Sequence, residues 1–116
     1  VHDHTVWGLV GVLRGAELSE RFVREADGRL TSKGVWRLDA GGIETVSPTI
    51  GDIHKVSNAL GDQASISIHV YGANIGAVKR HVFDPETGAM KDFVSGYSST
   101  AVPNLWDRAA AVRAAR

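Results

Sequence analysis

Ser65-Ile66-Ser67-Ile68-His69-Val70-Tyr71 alternates aliphatic and polar side chains without a break after its opening serine. A period of two belongs to a β-strand, whose successive side chains point to opposite faces. Ile66, Ile68 and Val70 therefore share one face, and Ser67, His69 and Tyr71 share the other. A hydroxyl, an imidazole and a phenol at this spacing can each hydrogen-bond the next, either on a solvated strand face or along the wall of a polar cavity. Strand-like stretches precede this one at residues 6–13, 21–24, 34–38, 43–46 and 54–58, and two follow at 77–83 and 90–97. Turn signals separate them: Asp27-Gly28, Gly41-Gly42, Gly61-Asp62 and Asp84-Pro85-Glu86-Thr87-Gly88. Short strands divided by tight turns predict an all-β sandwich or barrel. The tail changes period. Asn104 is placed to cap a helix through Arg113, with Leu105, Ala109 and Val112 at helical spacing, packed outside the barrel.

The 116 residues suffice for one ordinary domain with a single core. Thirteen basic residues balance thirteen acidic ones with no long block of either sign, so the chain lacks the electrostatic footprint of a nucleic-acid or anionic-membrane binder. The longest apolar run, Trp7 to Leu13, contains two glycines and falls far short of the roughly 20 residues that span a bilayer. Small-molecule partners are expected, with no nucleic acid and no membrane, and the protein is expected to be a monomer or weak homo-oligomer. The absence of cysteine removes disulfides, thiolate ligands and a thiol nucleophile, so a metal would have to be held by His, Asp or Glu. The chain opens on Val1, not methionine, and its second residue already belongs to a candidate site, which predicts an N-terminally truncated piece of a longer chain.

That candidate site begins with His2-Asp3-His4, where two imidazoles two apart on extended backbone face the same way and can meet one metal ion. His54 lies in Gly51-Asp52-Ile53-His54-Lys55-Val56-Ser57-Asn58, where the glycine permits a sharp bend and a strand can carry a third imidazole inward. A single histidine on a half-buried strand is ordinarily just a hydrogen-bonded side chain. Here three of the five histidines fall in these two segments and a fourth, His69, in the alternating strand, which points to a shared site. In the stretch 77–83, Val78, Arg80 and Val82 share one face, and Lys79, His81 and Phe83 the other. Arg80 is then either solvated on an edge strand or turned inward, where it needs a carboxylate from the protein or from a substrate. Trp7 is expected as a core aromatic beside the site, and Trp36 and Trp106 as packing residues. Gly8, Gly11 and Gly15 lack the strand-turn-helix setting of a dinucleotide loop and are expected to permit close packing.

The run from Val1 through Gly15, the segment Gly51 to Asn58 and Ser67-x-His69-x-Tyr71 together resemble the cysteine dioxygenase family of cupin thiol dioxygenases over nearly the whole chain. The likeness is greatest to the bacterial 3-mercaptopropionate dioxygenase branch. There the triplet is followed by Trp7-Gly8, and Tyr71 by Gly72-Ala73-Asn74-Ile75-Gly76-Ala77-Val78-Lys79-Arg80. The resemblance implies a cupin double-stranded β-helix (jelly-roll) barrel with a short C-terminal helix, residues 1–116 forming a single cupin domain of a cytoplasmic enzyme. It implies Fe(II) on His2, His4 and His54, an outer-sphere relay of Ser67, His69 and Tyr71, and substrate contacts from Arg80 and Tyr71, with Arg80 meeting the carboxylate. The implied activity is a non-haem iron thiol dioxygenase that converts a small carboxylated thiol, 3-mercaptopropionate or cysteine, and O2 to the sulfinic acid. Gly8 and Leu9 stand where many cupins carry a glutamate ligand, and no cysteine is present to crosslink the tyrosine as in the animal enzymes. The alternatives are another metal-dependent cupin oxygenase or isomerase, and a non-catalytic metal-binding cupin module.

Overall fold

A computed structural model describes residues 1–99 and 107–115. Among them run eight strands: β1 Gly8–Arg14, β2 Ala16–Arg24, β3 Leu30–Asp39, β4 Ile43–Val46, β5 Ile53–Asn58, β6 Ile66–Tyr71, β7 Arg80–Phe83 and β8 Met90–Phe93. A 3-10 turn at Ile75–Ala77 precedes β7, and a short helix, α1, spans Ala109–Ala114. The strands form antiparallel sheets ordered β4-β1-β6, β3-β2-β5 and β7-β8. The architecture is thus mostly β, with one short helix at the C-terminal side.

The N-terminal residues act as a splice. His2 is bridged antiparallel to His54 on one side and to Val82 on the other. Paired backbone bonds between His2 and His54 (3.0 Å each way), with Asp3 N–H donating to His81 and Phe83 N–H donating to Val1, join β7-β8 to the edge of β3-β2-β5. The first candidate ligand is therefore held by backbone hydrogen bonds on both flanks.

In the sheet β4-β1-β6, register decides which side chains look inward. Val10 pairs with Glu44 and His69, Gly8 with Val46 and Tyr71, and Val12 with Ser67. These residues form the inward face, while Leu9, Leu13, Ile43, Ile66, Ile68 and Val70 are exposed on the outer one. The division of β6 into an aliphatic and a polar face follows the alternation, and here the aliphatic face is the one turned outward. Apolar burial is completed by Val10, Val12, Val46, Ala16, Phe22, Phe83 and Val94, but the largest fully buried side chains include His4 and His54. The interior is built around imidazoles as much as around hydrocarbon.

Several sequence expectations need correction. Strand β2 begins at Ala16, not 21, because Glu17 and Ser19 are buried polar residues that disguise its inward face. Strand β3 likewise extends the predicted 34–38 at both ends. The stretch 77–83 is strand only from Arg80, since the 3-10 turn occupies its start. Strand β8 stops at Phe93, and Tyr97 folds back so that its hydroxyl accepts the Gly76 N–H. Asp107 and Arg108 lie outside the helix: the Asp107 carboxylate accepts the Ala109 N–H at 2.8 Å and starts α1 there. Asn104 and Leu105, predicted to open that helix, lie outside the described residues, as does Trp106. Trp7 is about half exposed and is not a core residue, whereas Trp36, also about half exposed, packs by Gly34 and Arg21. Trp7 packs against Gly72, where a β-carbon would collide with its indole.

Candidate metal centre

His2, His4 and His54 converge so that one ligating nitrogen from each lies within 4.8 Å of the others. Their ring centroids are 4.8–4.9 Å apart, edge to face. His4 and His54 are almost wholly buried, at 0% and 1% exposure. Three imidazoles packed this closely cannot all be protonated: burial, and then the neighbouring rings of His54 and His4, push His2 down to about 3. A neutral imidazole is the form that ligates a metal.

Local backbone explains the convergence. Gly51 at φ +130° makes the bend that launches β5, a conformation glycine alone adopts freely, and three residues later His54 faces inward. Thr5, a non-glycine residue at φ +57°, turns the chain sharply after His4. That turn is held by Thr5 Oγ1 donating to the carbonyls of His4 and Lys79, and by Thr5 N–H donating to Asp52. Left-handed backbone at a β-branched residue persists only where its surroundings over-determine it.

Two carboxylates stand behind the rings. Asp52 accepts His4 Nδ1–H at 3.0 Å and the backbone N–H groups of His4 and Thr5 at 3.1 and 2.8 Å. Burial raises the Asp52 carboxyl, but these donors outweigh it and the net shift is downward. With Nδ1 occupied, His4 Nε2 is left buried without a protein partner. A ring nitrogen buried in that condition is costly unless something fills the space between the rings, and the donor set of three neutral nitrogens suits a divalent transition metal. Glu44 stands 3.7 Å from His54 Nδ1 through Oε2 and accepts Arg21 Nε–H at 2.8 Å through Oε1. Burial pushes Glu44 up, but His54, Arg21 and Ser19 beside it bring it down to about 2. The fifth histidine, His81, stands apart from the cluster, its Nδ1 donating to Asp3 at 2.7 Å.

The sequence-predicted relay comes together beside this cluster. Ser67 Oγ is 3.0 Å from His69 Nε2, and His69 Nδ1 is 3.1 Å from the Tyr71 hydroxyl. The Tyr71 ring stacks on His4 at 5.4 Å and lies over Gly8, where a β-carbon would meet it at 2.6 Å. Burial raises the Tyr71 phenol and lowers His69, so the first stays a proton donor and the second stays neutral.

Arg80 is turned inward, at 6% exposure, and not solvated on an edge. Its Nη2 donates to Ser95 at 2.7 Å, its guanidinium lies 4.6 Å from the centre of the Phe93 ring, and its Nε has no protein partner. Burial lowers its pKa, opposed by Tyr71, Asp3, Asp52 and Tyr97. Among the described residues no carboxylate comes within ion-pair distance of it. The structure brings the seven predicted residues together, including Arg80, whose placement the residue pattern leaves open, while nothing in the sequence assigns a role to Asp52, Glu44, Arg21 or Ser95. The visible signal for Asp52 was its place between Gly51 and His54; Glu44 carried none beyond the parity it shares with Val46. No protein-family model matches the chain.

Proposed function

We propose that the chain is a cupin-type iron(II) thiol dioxygenase acting on a small carboxylated thiol, 3-mercaptopropionate or cysteine. The observation that carries this reading is the buried three-histidine cluster, with an unpartnered His4 Nε2, directly beside Tyr71 and its hydrogen-bonded chain to His69 and Ser67. The two main sheets, with inward side chains meeting between them, are compatible with a double-stranded β-helix.

His2, His4 and His54 would hold the ion, and when bound it supplies open positions at which a thiolate and dioxygen meet. The overall reaction balances without another reactant: the thiol sulfur gives up four electrons, both oxygen atoms end on it, and the thiol becomes a sulfinic acid. The side chains have separate tasks. With its proton on Nδ1, His69 donates to the Tyr71 oxygen while Ser67 donates to Nε2, so the phenol proton is free to point into the site. Arg80, buried and anchored on Ser95, offers a charge-assisted contact to the substrate carboxylate. The outward aliphatic face of β6 takes no part.

The test is oxygen uptake by protein loaded anaerobically with iron(II), offered 3-mercaptopropionate, cysteine and cysteamine in turn. Uptake with the carboxylated thiols and little with cysteamine is expected. No uptake with any thiol at full iron occupancy would overturn the dioxygenase reading and favour a different metal-dependent activity or a binding module.

A further inference from the structure

Strands β2 and β5 place Arg21 directly opposite His54, and cross-strand partners project from the same face of a sheet. A permanent cation thus neighbours an imidazole of the proposed metal centre. Glu44 enters from the other sheet and touches both: Oε1 accepts Arg21 Nε–H at 2.8 Å, and Oε2 faces His54 Nδ1 at 3.7 Å. Oε2 and Nδ1 are both buried without a hydrogen-bond partner, as is Ser19 Oγ. With Glu44 on its Nδ1 side, His54 is left with Nε2 for the ion. Arg21 is fixed independently, by Nη2 donating to the Thr45 carbonyl at 2.8 Å and by the Trp36 ring 6.0 Å from its guanidinium.

We propose that Glu44 and Arg21 set the metal affinity of this centre in opposite directions, Glu44 strengthening it through His54 and Arg21 weakening it. The proposal rests on the metal-binding reading of the three histidines. Glu44 is a positioning residue. A carboxylate facing a ligating imidazole at 3.7 Å favours its orientation electrostatically and raises its basicity, and a ring drawing charge toward a dication is attracted to it more strongly in return. Arg21 competes for the same carboxylate and adds a positive charge on the ligand's own strand pair. Asp52 behind His4 makes the contrast, because its three donors are the ring and two backbone N–H groups, and among the described residues no Lys or Arg pairs with it.

A purely structural role for the pair, as an ion bridge between the sheets, predicts that losing either partner harms the site alike. The proposal predicts opposite signs. Affinity for iron(II), held anaerobically, and for cobalt(II) would be measured by competition with a chromophoric chelator. Glu44→Gln, which keeps the shape and one acceptor oxygen, is expected to bind about 10- to 100-fold more weakly. Arg21→Met, which keeps the apolar stem, is expected to bind more tightly by severalfold, and Arg21→Lys to stay near the parent. The double variant should fall between the two single ones. Equal weakening in Glu44→Gln and Arg21→Met, or no change in either, overturns the proposal while leaving the metal centre standing. Failure of the parent chain to take up either ion stoichiometrically overturns the metal reading itself. Thermal unfolding of each metal-free variant establishes that the comparison is between folded proteins; if Glu44→Gln does not fold, the tighter binding required of Arg21→Met decides the matter.

Discussion

The three histidines and the Ser67-His69-Tyr71 chain lie side by side but are built on opposite principles. The histidines come from two distant segments, two of the three are fully buried, and each of those two is backed by a carboxylate from elsewhere in the chain. The relay comes from one strand, its members two residues apart, with His69 on the exposed side of the boundary. The histidine cluster is a product of tertiary packing and should resist small changes at its edge. The relay is a local product of strand geometry, so it should be removable piece by piece without disturbing the cluster.

The sharpest break is expected from His54→Ala, which deletes a ligand and should weaken metal binding by more than about a hundredfold, read by chelator competition. Next, Tyr71→Phe should lower turnover by about a hundredfold while metal affinity stays within about twofold. Full turnover in that variant would erase the functional distinction between the two groups. Gly8→Ala tests whether they are mechanically separable: its methyl would strike the Tyr71 ring at 2.6 Å, with an expected loss of about 1–3 kcal/mol in stability and a fall in turnover, metal binding being spared. A drop in metal affinity would mean that the displaced ring also carries His4 with it.

Acid should act on the cluster and on the relay from the same starting pH, because burial lowers both His2 and His69. The folded-state pKa of His2, about 3, lies below its ordinary 6.5, so as pH falls between these values the unfolded chain takes up a proton that the folded chain refuses. Metal-free protein should lose stability over that window, by at most about 1.4 kcal/mol per pH unit from this group, with Glu44 adding to the slope below about 4.5. Urea midpoints at successive pH values check this, and a flat profile between pH 6.5 and 5 would contradict it. The smallest effect is expected from Ser67→Ala, which removes one hydrogen bond from His69. At about 1 kcal/mol, this should reduce turnover about fivefold, measured as kcat with saturating thiol.

The same contrast decides what could be read from sequence. Local periodicity exposes a local device, and the polar face of β6 was legible residue by residue. The histidine cluster was legible in its ligands because His2 and His4 are two apart and glycine announces the bend before His54. Its supporting carboxylates were not, because their roles depend on which strands lie next to one another. Glu44 illustrates the difficulty: in Ile43-Glu44-Thr45-Val46 an ordinary reading buries the isoleucine, yet Ile43 is exposed and Glu44 is inside. Strand β2 was cut short for the same reason, since Glu17 and Ser19 on its buried face look like surface residues. Where an interior is organised around imidazoles, hydrophobicity ceases to mark the inside.

The splice made by His2 also gives the molecule a built-in reporter. The amides of His2, Asp3, His54 and Phe83 are the donors that knit residues 1–3 between β5 and β7, so they should exchange with solvent deuterium as one cooperative set. Occupying the three imidazoles would clamp that set, whereas amides in β3, at the opposite edge of that sheet, would change little. Differential exchange at four backbone positions would thus count occupied sites without a spectroscopic signal from the ion.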